Sequence, residues 1–177
     1  DPHVSDTDAV RSSIGQGTNN YAPVQLARYV TTIANEGNCY DLTLVNEIKN
    51  IDGRTVYKSD NVPKNTVDLT DSQWAVIKQG MRQMVSEHTS PSALINQINV
   101  NVAGKTGTAE EDTTRPDHAL FVSFAPYENP EVSVTCVIPH GYTSGNAEEL
   151  AGMVYAYMYD PDKLDTLDIT GNNQMSD

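Results

Sequence analysis

The stretch Gly104-Lys105-Thr106-Gly107-Thr108-Ala109-Glu110 concentrates more chemistry than any other part of this 177-residue chain. A lysine and two threonine hydroxyls flank a glycine, which gives a fixed cation and hydrogen-bond donors beside backbone that a ligand can approach closely. Such a set suits an anion. If the stretch is a strand, alternation puts Thr106 and Thr108 on one face and Lys105 on the other. All three then serve one ligand only where the strand borders a cleft, and an edge strand would also let a peptide backbone pair with it.

Other chemistries fit less well. The phosphate-binding pattern G-x-x-x-x-G-K-[ST] would share Gly104-Lys105-Thr106, but Asn99 stands where its leading glycine belongs. Residues 99–102 alternate as a strand where that loop should be, and residues 110–116 hold no apolar-periodic helix, so nucleotide binding is not expected. His3, His88, His118 and His140 are dispersed, without an i, i+4 pair or a cysteine at ligand spacing, so neither a metal site nor a cofactor is expected. Cys39 and Cys136 are too few for a disulfide framework and read as unpaired thiols. A formal net charge of -13 opposes binding to phosphate backbones and anionic lipid. Apolar runs reach about seven residues, against the roughly 20 that span a bilayer.

Several elements must position the motif. After a polar segment to about Ser12 comes the glycine-spaced turn Ser13-Ile14-Gly15-Gln16-Gly17-Thr18. Pro23 then opens an amphipathic helix with Leu26, Val30 and Ile33 on one face and Gly37 as its stop. Residues 42–49 and 54–57 read as a peripheral hairpin around Asn50-Ile51-Asp52-Gly53. Thr70 and Gln73 form a capping box for a second helix that carries Trp74, Ile77, Met81, Met84 and Val85 as a core stripe through Glu87. Three strands follow, at 98–108, 118–125 and 132–138, the last two antiparallel because residues 126–131 are too few for a crossover helix. The final helix is expected to start with Asn146 as cap and Glu149 at N3, and to cover the sheet with Leu150, Met153, Val154, Tyr157 and Met158. Beyond Asp160 little is left to bury, so residues 1–160 read as one domain portion and 161–177 as a polar tail.

The fold class expected is α/β (α+β): an antiparallel sheet covered by helices. In order along the chain, Ser13-Ile14-Gly15-Gln16-Gly17, Pro23-x-Gln25-Leu26-Ala27, Ala34-Asn35-x-Gly37, residues 103–110 and residues 118–126 resemble class B penicillin-binding proteins, the elongation-type transpeptidases in particular. The resemblance implies part of a penicillin-binding transpeptidase fold at the extracytoplasmic face of a bacterial membrane. There a serine attacks the penultimate D-Ala carbonyl of a peptidoglycan stem peptide, and β-lactams mimic that donor. By the same resemblance Lys105 would bias electrostatics and proton traffic. Thr106 and Thr108 would hydrogen-bond the terminal carboxylate, the Thr108 N–H would join the oxyanion hole, and Gly107 would leave room for the acyl group.

The chain also departs from the family pattern. No serine has a lysine three positions later, so the S-x-x-K nucleophile is missing and the chain alone is expected to be inactive. Ser144-Gly145-Asn146 matches the family's Ser-x-Asn motif but follows the Lys-Thr-Gly strand, and reads as a loop ending in a helix cap. The nucleophile, the membrane anchor and the N-terminal module are expected outside this segment. Gly15, Gln16 and Gly17 read as a supporting turn, and Glu110 and Asp117 as solvated acids. Two other classes share these features, a β-lactam sensor and a purely structural domain whose Lys105, Thr106 and Thr108 line no cleft. Because family strands from the start of the domain would flank Val132–Ile138, the segment alone is expected to dimerise through that strand or fold its own N-terminus over it.

Overall fold

A computed structural model describes residues 6–12, 15–17, 20–90, 92–110 and 114–166. Helix α1 (Asp6–Ser12), in what the sequence suggested was only a polar segment, buries no side chain. Helix α2 (Pro23–Ala34) starts with proline in its first turn, where a missing N–H costs nothing, and buries Val30 and Ile33. The turn that follows its end runs through Gly37, whose φ of +94° and whose closeness to Val67 and Trp74 leave no room for a Cβ. A two-residue pairing of β1 (Asn38–Cys39) with β4 (Asn65–Thr66) closes the base of a peripheral lobe. In that lobe β2 (Glu47–Lys49) and β3 (Thr55–Lys58) form the expected hairpin, shorter than its apolar pattern suggested and exposed throughout.

Helix α3 (Asp71–Gln83) begins with the predicted capping box: Thr70 accepts from the Gln73 N–H, and Thr70 N donates to Gln73 Oε1 at 2.9 Å. Its core stripe holds at Trp74, Met81 and Val85, while Ile77 is exposed. After Gln83 the helix widens into a π turn (Met84–His88), followed by a short 3-10 turn (Leu94–Asn96).

Strands β5 (Ala103–Ala109), β6 (His118–Ala125) and β7 (Val132–Ile138) form an antiparallel sheet in the order β5-β6-β7. The last two have the expected bounds. The first starts later than expected, because residues 98–102 are committed elsewhere: Ile98 and Val102 are buried, and Asn99 N donates to the Asp160 carboxylate. Helix α4 (Ser144–Tyr159) and a 3-10 turn (Pro161–Thr166) complete the described chain.

Both sheet faces are covered, as alternation along β6 requires. Phe124, with Ala103 opposite it on β5, packs against Val30, Ile33, Trp74 and Met81 from α2 and α3. Ala119, Phe121 and Ala125 face the other way, into Ala147, Ala151, Tyr155 and Ala156 of α4. Two details of α4 correct the sequence-based expectation. Thr143, not Asn146, is the N-cap, and Asn146 donates its side-chain amide to the Gly141 carbonyl. The buried face is the small-residue one with Tyr155, while Leu150, Val154, Tyr157 and Met158 are exposed. Small side chains let the helix approach the sheet closely enough for Tyr155 to reach Ser123, O to O 3.0 Å. Residues 161–166 are not wholly detached, since Leu164 packs against the core.

Candidate active-site strand

β5 is the free edge of its sheet: among the described residues only β6 pairs with it. Along it Ala103 and Gly104 are buried, Lys105 and Thr108 exposed, and Thr106 and Gly107 half-buried. Thr106 lies opposite Phe121 and Thr108 opposite Ala119, so both hydroxyls belong to the face that α4 covers. Lys105 and Gly107, opposite Val122 and Leu120, belong to the α2–α3 face. The alternation read from the sequence is therefore kept, and the strand carrying all four residues stands at an edge of its sheet.

Two hydrogen bonds fix which backbone groups face that edge. Lys105 Nζ donates to the Thr106 carbonyl at 2.7 Å, and Gln16 Nε2 donates to the Thr108 carbonyl at 3.1 Å. Both carbonyls are thus turned away from β6, and in an antiparallel strand the N–H of a residue points with its C=O. The N–H groups of Thr106 and Thr108 are accordingly directed outward, two donors along an open edge. None of the four ion pairs among the described residues involves Lys105.

Packing explains one glycine of the motif and not the other. A Cβ on Gly104 would lie 2.5 Å from the Phe121 ring, so that position must be glycine for the sheet to close. On Gly107 the nearest atom would be Leu120 Cβ at 3.4 Å, an ordinary contact, and its φ is not positive. Space beside Gly107 is left open rather than used by the core.

The strand is anchored at both ends by residues that carry no motif. Before β5, Arg82 donates to the Val102 carbonyl at 3.2 Å and to Asn101 Oδ1 at 2.9 Å. Asn101 in turn donates to Glu128, and that hydrogen bond holds the Glu128 carboxyl below its usual range. At the far end Gln16 reaches Thr108 from 92 residues away, from between Gly15 and Gly17, both at positive φ. The supporting-turn assignment thus gains a specific object, although Ser13, Ile14 and Thr18 lie outside the described residues. Glu110 is exposed, and the Asp117 carbonyl accepts from Tyr142 N.

Two cavities adjoin the strand. One of about 400 Å³ runs behind Thr106 toward Thr89, Ser144 and Glu148. The other, about 810 Å³, lies past the end of β5 against Ala109, His118, Leu120, Tyr21 and Tyr29. Lys105, Gly107 and Thr108 line neither and stand on the open edge itself.

Ser144-Gly145-Asn146 is not alone in matching Ser-x-Asn: Ser59-Asp60-Asn61 also does and precedes the motif strand. The structure keeps it just past β3, where Ser59 N donates to the Asn46 carbonyl, in a lobe whose hairpin pairs with no strand of the β5-β6-β7 sheet. Ser144-Gly145-Asn146 instead forms the first turn of α4, and Ser144 lines the cavity behind Thr106. Cys39 and Cys136 are free thiols. Among the described residues no cluster of histidine, cysteine, aspartate or glutamate could hold a metal ion, and no helix is long and apolar enough to cross a membrane.

Comparison with known proteins gives this geometry a family. The model of the penicillin binding protein transpeptidase domain matches residues 3–158. Penicillin-binding protein 2B of Streptococcus pneumoniae is 34% identical over 142 residues, which are 74% of this chain and 21% of that protein. The peptidoglycan D,D-transpeptidase MrdA of Acinetobacter baumannii is 27% identical over 166 residues, 85% of this chain and 24% of that protein. The chain thus spans less than a quarter of either relative. Among solved structures, penicillin-binding protein A of M. tuberculosis, as its imipenem acyl-enzyme complex, superposes with a TM-score of 0.76 at 26% identity, over 88% of this chain and 35% of that one. Penicillin-binding protein 2B of S. pneumoniae strain R6 does so with a TM-score of 0.75 at 30% identity, over 88% of this chain and 28% of that one. With a family match running almost end to end and solved members sharing its sheet and helices, this chain belongs to the transpeptidase-domain family of penicillin-binding proteins.

Proposed function

We propose that the chain is the C-terminal portion, residues 1–160 with a polar tail at 161–177, of an elongation-type peptidoglycan D,D-transpeptidase, and that β5 is one wall of its acyl-transfer cleft. The observation that carries this reading is the free edge of β5, where Thr106 and Thr108 direct their N–H groups outward beside an exposed ammonium. Such an edge can pair with the backbone of an extended peptide, as the donor stem peptide requires.

The roles then follow from position. A serine supplied from outside these 177 residues attacks the penultimate D-Ala carbonyl of the stem peptide, the negative oxygen that forms is met by the Thr108 N–H, and D-Ala leaves. The acyl group passes to the amine of a neighbouring stem peptide. Lys105 stabilises negative charge and favours deprotonation of the groups that activate the serine. The Thr106 and Thr108 hydroxyls bind the terminal carboxylate of the donor or of a β-lactam, and the open space at Gly107 admits the acyl group. The relatives' names and the acyl-enzyme complex of penicillin-binding protein A support β-lactam as a ligand of this cleft. A cell-wall polymer as substrate places the parent protein on the extracytoplasmic face of a bacterial membrane, anchored by a segment other than those described here.

The test is covalent labelling followed by mass spectrometry. The complete polypeptide should take one labelled penicillin per chain, on a serine outside residues 1–177, whereas the 177-residue chain alone takes none. A stoichiometric adduct on the isolated chain, or no adduct on the complete one, contradicts the proposal.

A further inference from the structure

Helix α4 packs Ala147, Ala151, Tyr155 and Ala156 into the core shared with the sheet and Gly152 against Leu94 and Ile95, and one carboxylate is buried on the same helix: Glu148, only 8% exposed. Burying a carboxylate costs stability unless its hydrogen bonds offset the lost water. Glu148 Oε1 accepts from Thr89 Oγ1 at 2.6 Å, a short contact of the charge-assisted kind. Thr89 directly follows the π turn Met84–His88, whose Val85 is fully buried in the core that Phe121 and Val102 share. Asn96 pins the same turn from its other side, donating to the Val85 carbonyl at 3.0 Å. Thr89, Glu148 and Thr106 line a single cavity of about 400 Å³, so the bond between the first two sets the wall behind the third.

This inference rests on β5 being the acyl-transfer strand. We propose that Glu148 is a positioning residue: through Thr89 it locks α4 to the π turn and so fixes the wall against which the Thr106 hydroxyl is aimed at the donor's terminal carboxylate. Glu148 touches no substrate. It acts by holding a surface whose displacement by about 1 Å would cost roughly a hundredfold in rate. The titratable groups at the same cavity are His88 from the π turn and Glu149 from α4. Burial pushes the Glu148 carboxyl above its ordinary range, the Thr89 bond opposes that, and Glu149 adds to it.

Two readouts in the complete polypeptide test the proposal: hydrogen exchange of the peptide covering residues 103–109, and the second-order rate of acylation by a fluorescent penicillin. Glu148→Leu and Thr89→Val should each speed exchange in that peptide while leaving α2 unchanged, and each should slow acylation by about tenfold or more. The double variant should lose no more than either single one, because both remove the same bond. Glu148→Gln, which keeps an acceptor for Thr89, should restore both. Unchanged exchange in the single variants overturns the proposal, and so does faster exchange with normal acylation, or losses that add. If the wild-type polypeptide takes no penicillin at all, the transpeptidase assignment fails, and the exchange data still decide whether the Glu148–Thr89 bond holds β5.

Discussion

Gly104 and Gly107 lie in one strand and answer to different demands. Gly104 is imposed by the Phe121 ring, so Gly104→Ala should destabilise the protein by about 1–3 kcal/mol through overpacking, read as a lower denaturant midpoint. Gly107→Ala meets only an ordinary contact, and its stability should stay within about 0.5 kcal/mol of wild type. In the complete polypeptide the proposed cleft predicts slower acylation by penicillin, because the added methyl would enter the space proposed for the acyl group. Equal acylation rates for Gly107→Ala and wild type would remove that role. Thr108→Val separates the hydroxyl from the backbone donor: it should weaken capture of the β-lactam carboxylate, raising the concentration needed for half-maximal acylation, with less effect on the limiting rate. At this scale the sequence was a good guide to the strand that holds Lys105, Thr106, Gly107 and Thr108 and to the faces they take, because side-chain alternation needs no tertiary information. It gave Gln16 a supporting turn without the strand it supports and was silent on Arg82 and Asn101; the partners of the three lie 92, 20 and 27 residues away. No local pattern announces a hydrogen bond of that range.

Elements were legible where a local rule settles them and misread where packing does. Strands β6 and β7 have the expected bounds because alternation and the following prolines, Pro126 and Pro139, mark them locally. The Thr70–Gln73 capping box is likewise a local device. Helix α4 is apolar around much of its circumference, so periodicity could not say which stripe is buried. Close approach decided: alanines face the sheet, Gly152 meets the Leu94–Asn96 turn, and Leu150 and Met158 stay exposed. The π turn after α3 has no pattern to read. Tyr155→Phe removes the hydroxyl that meets Ser123 while Ser123 keeps its bond to the Val134 carbonyl, so the loss should be about 1 kcal/mol in equilibrium unfolding. Glu148 has its carboxyl raised by burial in the folded state, so its proton is bound more tightly folded than unfolded. Stability should therefore fall as pH rises from the unfolded value through the folded one. Glu148→Gln should flatten that decline in a series of melts across the acidic range; an unchanged slope would mean another group causes it.

For the whole molecule, the sheet has two free edges among the described residues, and they differ in character. β5 carries the lysine and the outward N–H groups of the proposed cleft. β7 runs Val132-Ser133-Val134-Thr135-Cys136-Val137-Ile138 with no charge or proline to discourage pairing, and the exposed Leu150, Val154, Tyr157 and Met158 lie on α4, which packs against the sheet. The 177-residue chain taken alone should self-associate through β7, and Val134→Lys should return it to a monomer by light scattering. A strictly monomeric chain unaffected by the lysine would show that this edge recruits nothing. The central claim concerns the other edge. Its most direct test is the second-order rate at which a fluorescent penicillin acylates the complete polypeptide, compared between wild type and Lys105→Ala. The account predicts a loss of at least tenfold, about 1.4 kcal/mol of transition-state stabilisation, with an unchanged thermal midpoint, because an exposed ammonium on a free edge contributes to catalysis and little to folding. Acylation of Lys105→Ala at the wild-type rate would contradict it and remove β5 from the active site.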